Sequence, residues 1–130
     1  EEYKKNPTKV IDIQSACLIN NVLSDNNARI PVFGAHSKLY IPGRPAAAKT
    51  GTTNDSRDAW TIGYTPSLAA GVWAGNNDNS PMKHAGGSSA AAPIWNDFMT
   101  NALKGTPVEQ FTKPSPINTD KPILNGIAED

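Results

Sequence analysis

The stretch PAAAKTGTTNDSRDAWTIGYTPSLAAGVWAGN, Pro45 to Asn76, decides how this chain is read. It holds three short segments with strand character. Ala46 to Thr53 is small and β-tolerant. Asp58 to Thr65 alternates, with Trp60, Ile62 and Tyr64 on one face. Leu68 to Gly75 sets Leu68, Ala70, Val72 and Ala74 on one face and Trp73 on the other. Asn54-Asp55-Ser56-Arg57 joins the first two, and Thr65-Pro66-Ser67 reads as a tight reversal between the second and third. The expectation is a three-stranded antiparallel meander whose first strand carries Lys49-Thr50-Gly51-Thr52.

Working outward, Asn6-Pro7-Thr8 is a helix-start signal with Thr8 as its N-cap. From Lys9 to about Leu23 the pattern is helical, with Ile11, Leu18, Ile19 and Val22 sharing a face and Gln14 and Asn21 on another. Ser24-Asp25-Asn26-Asn27 ends that helix. Residues 28 to 45, punctuated by Pro31, Gly34, Pro42, Gly43 and Pro45, read as a long irregular connection. Beyond the strands, 76 to 87 is a polar loop. Ser88 or Ser89 caps a second helix that runs to about Leu103, and Pro93 kinks it or marks its true start. Ile94, Trp95, Phe98, Met99, Ala102 and Leu103 form its apolar stripe. Residues 1–104 thus form the structured part, and 105–130, with Pro107, Pro114, Pro116 and Pro122, a proline-rich extended tail or linker. Helices against an antiparallel sheet give the α+β class. Three strands and two helices make a thin core, and the open edge of the first strand is a liability unless further protein covers it.

Composition narrows the function. The 12 basic and 12 acidic side chains cancel, so no field favours nucleic acid. Cys17 is the only cysteine; it forms no intrachain disulfide and no thiolate metal site, and its apolar helical setting reads as buried packing. No apolar run is long enough to span a bilayer. The opening residues, Glu1-Glu2-Tyr3-Lys4-Lys5, carry no signal-peptide pattern, and we read them as the start of a cut piece with any export signal or anchor upstream.

The strongest chemical signal lies in the first strand. Lys49 offers a fixed positive charge. Thr50 and Thr52, two residues apart, put their hydroxyls on one face. Gly51 lacks a Cβ, so a ligand backbone can approach. An extended peptide can add to such an edge, its terminal carboxylate meeting Lys49 and the hydroxyls, while an edge N–H faces a carbonyl under attack. The plain alternative is a surface strand leading into a turn.

The combination K-T-G-T-T, R-D-A-W, G-Y-T-P and V-W-A-G, followed by G-G-S-S-A-A-A-P-I-W-N-D-F-M, resembles the C-terminal half of the transpeptidase domain of class A penicillin-binding proteins, from about Thr8 to Phe111. The helix V-I-D-I-Q-S-A-C-L-I-N-N-V-L takes the place of the family helix before the long connection. The resemblance implies a penicillin-binding serine transpeptidase fold in which these three strands belong to a larger five-stranded sheet. It implies a membrane-anchored protein acting outside the cytoplasm, joining a glycosyltransferase domain to a peptide cross-linking domain. A serine from S-x-x-K would form an acyl-enzyme with a D-Ala-D-Ala stem peptide, and β-lactams would acylate the same serine. By this resemblance Lys49 is the motif lysine, Thr50 binds the ligand carboxylate, Gly51 gives clearance, and Thr52 supplies an oxyanion-hole N–H and a hydroxyl. Thr53 follows in the substrate-binding run. No cofactor or metal is implied. Ala48 departs from the glycine usual before the lysine.

A larger departure concerns the nucleophile. Ser15, Ser24 and Ser37 are followed three residues on by Leu18, Asn27 and Tyr40. Ser80-Pro81-Met82-Lys83 fits S-x-x-K literally but lies after K-T-G, in a polar loop. No S-x-N precedes Lys49. The nucleophile, its lysine and the remaining strands are therefore expected in an upstream half of the same domain, and this chain alone is expected to be inactive. Rival readings are a non-catalytic peptidoglycan- or partner-binding module of the same fold, or a D,D-carboxypeptidase or β-lactamase relative; V-W-A-G and A-A-P-I-W favour the class A pattern. Among lesser candidates, His36 lies on the approach to the K-T-G strand and His84 in a loop. Arg57 and Asp58 read as a turn or sheet brace, Trp60, Trp73 and Trp95 as core, and Tyr64 as packing. Asn76-Asn77-Asp78-Asn79 lacks the glycine and distal glutamate of a calcium loop.

Overall fold

A computed structural model describes residues 8–83, 86–116 and 120. Its elements are α1 (Ile13–Ser24), α2 (Asn26–Phe33), β1 (Ala47–Thr52), a 3-10 turn (Asn54–Ser56), β2 (Asp58–Tyr64), β3 (Ala69–Gly75), a π-helical turn (Gly87–Ala91) and α3 (Ala92–Ala102). The fold is α+β, and the three strands form the expected antiparallel meander in the order β1-β2-β3.

Capping explains where the helices differ from expectation. α1 starts after Asp12, not after Thr8, because the Asp12 carboxylate accepts the Ser15 N–H at 3.0 Å. Asp25 closes α1 and at once opens α2, its Oδ1 accepting the Ala28 N–H at 3.1 Å. Residues 28 to 45 are thus not wholly irregular. Pro31 removes one hydrogen bond from α2 without ending it; Gly34, at φ 77°, does that. At the other end, Gly86 rather than a serine precedes the π-helical turn. Ser89 reaches back to accept the Gly86 N–H at 2.9 Å, the role of the third residue in a capping box. Pro93 sits at the start of α3, where a missing N–H costs least.

The sheet has unlike faces. Ala59, Thr61 and Gly63 of β2 are buried, whereas Trp60 and Ile62 are exposed. The buried face meets α3. Leu39, Ile41, Ala46 and Ala48 pack there with Ala92, Trp95, Met99 and Leu103. Gly63 makes this possible: a Cβ there would stand 2.3 Å from the Trp95 ring. Trp95 completes the fit by donating from Nε1 to the Ala70 carbonyl at 3.2 Å. α1 lies over the opposite face at its Tyr64 end, where the Tyr64 hydroxyl donates to Asn20 Oδ1 at 2.7 Å. Cys17 is buried, as expected.

Two of the three tryptophans are not core. Trp60 and Trp73 pair directly across the sheet and remain 42% and 46% exposed, with Ile62 beside them at 54%. They lie on the face that α1 covers only at one end. Ile94 and Phe98 of the predicted α3 stripe are exposed as well; Trp95, Met99 and Leu103 carry the contact.

After α3 the chain is extended and returns across the molecule. Arg44 donates to the carbonyls of Leu103, Thr106 and Pro107 at 3.3, 2.8 and 2.7 Å, holding the end of α3. Phe111 meets Tyr64 edge to face, with ring centres 5.8 Å apart. The Gln14 side-chain amide pairs with both backbone groups of Ser115, at 2.7 and 2.9 Å.

Candidate functional site

The edge of β1 is the distinctive chemical surface. Residues of an antiparallel pair alternate between those bonding to the partner strand and those whose N–H and C=O point away. The Thr53 N–H donates to the Asp58 carbonyl at 3.0 Å, continuing the β1–β2 register and fixing its phase. Gly51, Lys49 and Ala47 therefore bond to Trp60, Ile62 and Tyr64. The peptide groups of Thr52, Thr50 and Ala48 face the open edge. β2 agrees with this phase on its other side, where the Thr65 N–H donates to Leu68 at 2.8 Å.

Each residue expected at the site is found on or beside this edge. Lys49 is exposed, and its Nζ donates to the outward Thr50 carbonyl at 2.6 Å. The ammonium therefore stands along the edge. Thr50 and Thr52 share the face that carries buried Thr61. Gly51 opposes Trp60, and a Cβ there would make only an ordinary contact with Trp60 Cβ at 3.5 Å. Packing among the described residues does not demand a glycine at this position. Thr53 differs from expectation. Its Oγ1 donates to Asp58 Oδ2 at 3.0 Å and accepts the Asp58 N–H at 2.8 Å, so this hydroxyl closes the turn.

Asp58 also accepts from Trp73 Nε1 at 2.8 Å, tying the turn to β3. Arg57 lies 3.8 Å from Asp55 and donates to the Asn79 carbonyl. Both brace the sheet end, as expected. Ser80 belongs to a closed loop: its hydroxyl accepts from Asn76 Nδ2 at 3.1 Å and its N–H donates to Asp78 Oδ1 at 3.0 Å. Hydrogen bonds from the Ser80 hydroxyl and backbone hold the Asp78 carboxyl below the usual range. No group of His, Cys, Asp and Glu among the described residues can hold a metal ion. His36 lines a cavity of about 250 Å³ with Phe33, Ser37 and Ser88; Lys49 is not part of that lining. His84 lies outside the described residues.

Three contributors escaped the sequence reading. Arg29 of α2 donates to the carbonyls of Leu39 at 3.0 Å, Ala46 at 3.3 Å and Leu23, joining α1, the connection and the entry to β1. Burial lowers its pKa, and Asp25 pulls the other way. It borders a cavity of about 120 Å³ that reaches Ala48, Lys49 and Thr50. Thr61 and Gly87 are the others: the Gly87 N–H donates to Thr52 Oγ1 at 3.0 Å, and Thr61 Oγ1 donates to the Gly87 carbonyl at 3.0 Å. Capping at Asp25 signalled the helix bearing Arg29. No local pattern joins Thr61 to Gly87.

Comparison with known proteins converges on one group. The chain is 41% identical over 113 residues to penicillin-binding protein 1A of Mycolicibacterium smegmatis, a match covering 76% of this chain and 14% of that protein. It is 34% identical over 121 residues to penicillin-binding protein 1A of Aquifex aeolicus, covering 82% of this chain and 17% of that one. Among solved structures, penicillin-binding protein 1A from Haemophilus influenzae superposes with a TM-score of 0.55 at 26% identity, over 71% of this chain and 14% of that chain. No family model matches. The chain thus spans a small part of the relatives it matches.

Proposed function

Since this chain belongs to the class A penicillin-binding proteins, we propose that it forms the K-T-G wall of a serine D,D-transpeptidase that cross-links peptidoglycan. Its substrates are D-Ala-D-Ala stem peptides, bound along the β1 edge. Lys49 and the hydroxyls of Thr50 and Thr52 hold the terminal carboxylate, Gly51 gives clearance, and the outward Thr52 N–H receives the carbonyl oxygen as it becomes an oxyanion. Thr53 shapes the turn behind them. The nucleophilic serine, with its S-x-x-K lysine and the S-x-N residue, comes from the upstream half of the domain. A stem amine then attacks the acyl-enzyme, and β-lactams acylate the same serine. The protein works on the outer side of the cytoplasmic membrane, held by an anchor beyond this chain; no helix among the described residues is long and apolar enough to cross a membrane.

The observation that carries this reading is the outward set of Thr50 and Thr52 peptide groups beside the Lys49 ammonium. Labelling with a fluorescent penicillin tests it. The full-length protein should take up one covalent label, mapped by mass spectrometry to a serine outside residues 1–130, and this chain alone should take none. A label on Ser80 or any other serine of this chain would overturn the division of labour, and an unlabelled full-length protein would overturn the transpeptidase reading.

A further inference from the structure

We propose that Thr61, acting through the backbone of Gly87, is a positioning residue that fixes the Thr52 hydroxyl as a hydrogen-bond donor toward the carboxylate of the bound ligand. The inference rests on the reading of Thr52 as a carboxylate contact. Gly87 meets the sheet backbone on backbone. Gly87 lies so close over β1 and β2 that a Cβ there would stand 2.5 Å from the Trp60 carbonyl oxygen and 2.7 Å from that of Gly51. No other residue fits at that height above the sheet.

Gly87 is pinned from both ends of its backbone. Its carbonyl accepts from Thr61 Oγ1 at 3.0 Å and from the Ala92 N–H, so both lone pairs are used. Its N–H points into Thr52 Oγ1 at 3.0 Å. A threonine hydroxyl has one proton to give. With an N–H fixed against one lone pair of Thr52, the hydroxyl proton must turn elsewhere, and among the described residues nothing accepts it. Thr52 is exposed at the β1 edge, where the ligand carboxylate is to lie. The hydroxyl is therefore set as a donor before the ligand arrives, which spares reorganisation on binding. Thr61 is fully buried and touches no ligand; it acts only by holding Gly87, through its carbonyl, so that the N–H at the other end of Gly87 orients Thr52.

The test compares acylation of the full-length protein by benzylpenicillin and by its carboxamide, which lacks the anionic carboxylate. Thr61→Val keeps the shape of the side chain and removes the hydroxyl; Thr61→Ser restores it. The acid-over-amide rate ratio should fall about tenfold in Thr61→Val, the loss of roughly one charge-assisted hydrogen bond, and return in Thr61→Ser. A purely structural role would slow both compounds alike and leave the ratio at the wild-type value, and that outcome sinks the proposal. Should Thr61→Val fail to fold, Thr61→Cys, a weaker donor of similar size, decides: a lowered ratio supports the proposal, and a wild-type ratio overturns it. Thr52→Val separates the two layers of argument. If that variant keeps the wild-type ratio, the carboxylate role of Thr52 itself fails. If it loses the ratio while Thr61→Val keeps it, only the positioning role fails.

Discussion

Gly51 and Gly63 show how two glycines of one sheet serve different ends. A Cβ at Gly63 would collide with the Trp95 ring at 2.3 Å, so Gly63→Ala should lower stability by about 1–3 kcal/mol, seen as a reduced denaturant midpoint. A Cβ at Gly51 meets nothing closer than 3.5 Å. Gly51→Ala should keep the wild-type midpoint yet slow penicillin acylation of the full-length protein; equal acylation would show that no ligand passes over this position. Lys49→Ala removes the edge charge. Acylation should then slow about ten- to a hundredfold, matching the loss of a charge-assisted bond of roughly 1.5–3 kcal/mol, while stability moves by less than about 0.5 kcal/mol because the side chain is exposed. Lys49 to Thr52 stand out in the sequence because four consecutive residues, three side chains and a glycine, carry the signal. Thr61 and Gly87 could not. They lie 26 positions apart, and their link is one hydroxyl on one carbonyl.

α2 was hidden by its own start signal. Ser24-Asp25-Asn26-Asn27 reads as a stop, yet Asp25 caps the next helix while ending the last, and Pro31 then argues against any helix at all. The strands were legible to within a residue because period-2 alternation and the turns at each end agree. Their exposed face was misjudged for a different reason. A tryptophan in a strand predicts burial only if something lies over it, and a sequence pattern does not say what covers each face. α2 matters beyond its length because it carries Arg29, which bonds the end of α1, the connection and the entry to β1. Asp25→Ala should cost about 1 kcal/mol through the lost cap. Arg29→Met keeps much of the stem but frees three carbonyls, so it should cost more than the cap. Amide hydrogen exchange provides the check: protection should fall in α2 and around Ala46–Ala48 in Arg29→Met, but mainly in α2 in Asp25→Ala. Identical patterns would mean that Arg29 does not tie β1 to the helices.

On the scale of the molecule, its two layers of helix leave apolar surface in the open. Ile19 and Val22 of α1 are 55% and 66% exposed, and Trp60, Ile62 and Trp73 form a second open patch on the sheet face that α1 covers only in part. The β1 edge adds unpaired backbone groups next to them. Contiguous apolar patches beyond a few hundred Å² seldom persist on a soluble monomer. The upstream half of the proposed transpeptidase domain is the natural cover, since the same half must bring its serine to the β1 edge. Residues 1–130 expressed alone should therefore self-associate, with a sedimentation coefficient that rises with concentration. Two substitutions test whether the open faces are the cause. Ile62→Lys and Val22→Lys each place a charge on a patch without touching the core beneath α3, so each should shift the chain toward monomer. Supplying the upstream half as a separate chain should do the same for the unsubstituted protein and should restore labelling by penicillin. A compact monomer at every concentration, unfolding in one cooperative transition, would show that these faces need no partner and would favour a self-sufficient binding module over half of an enzyme.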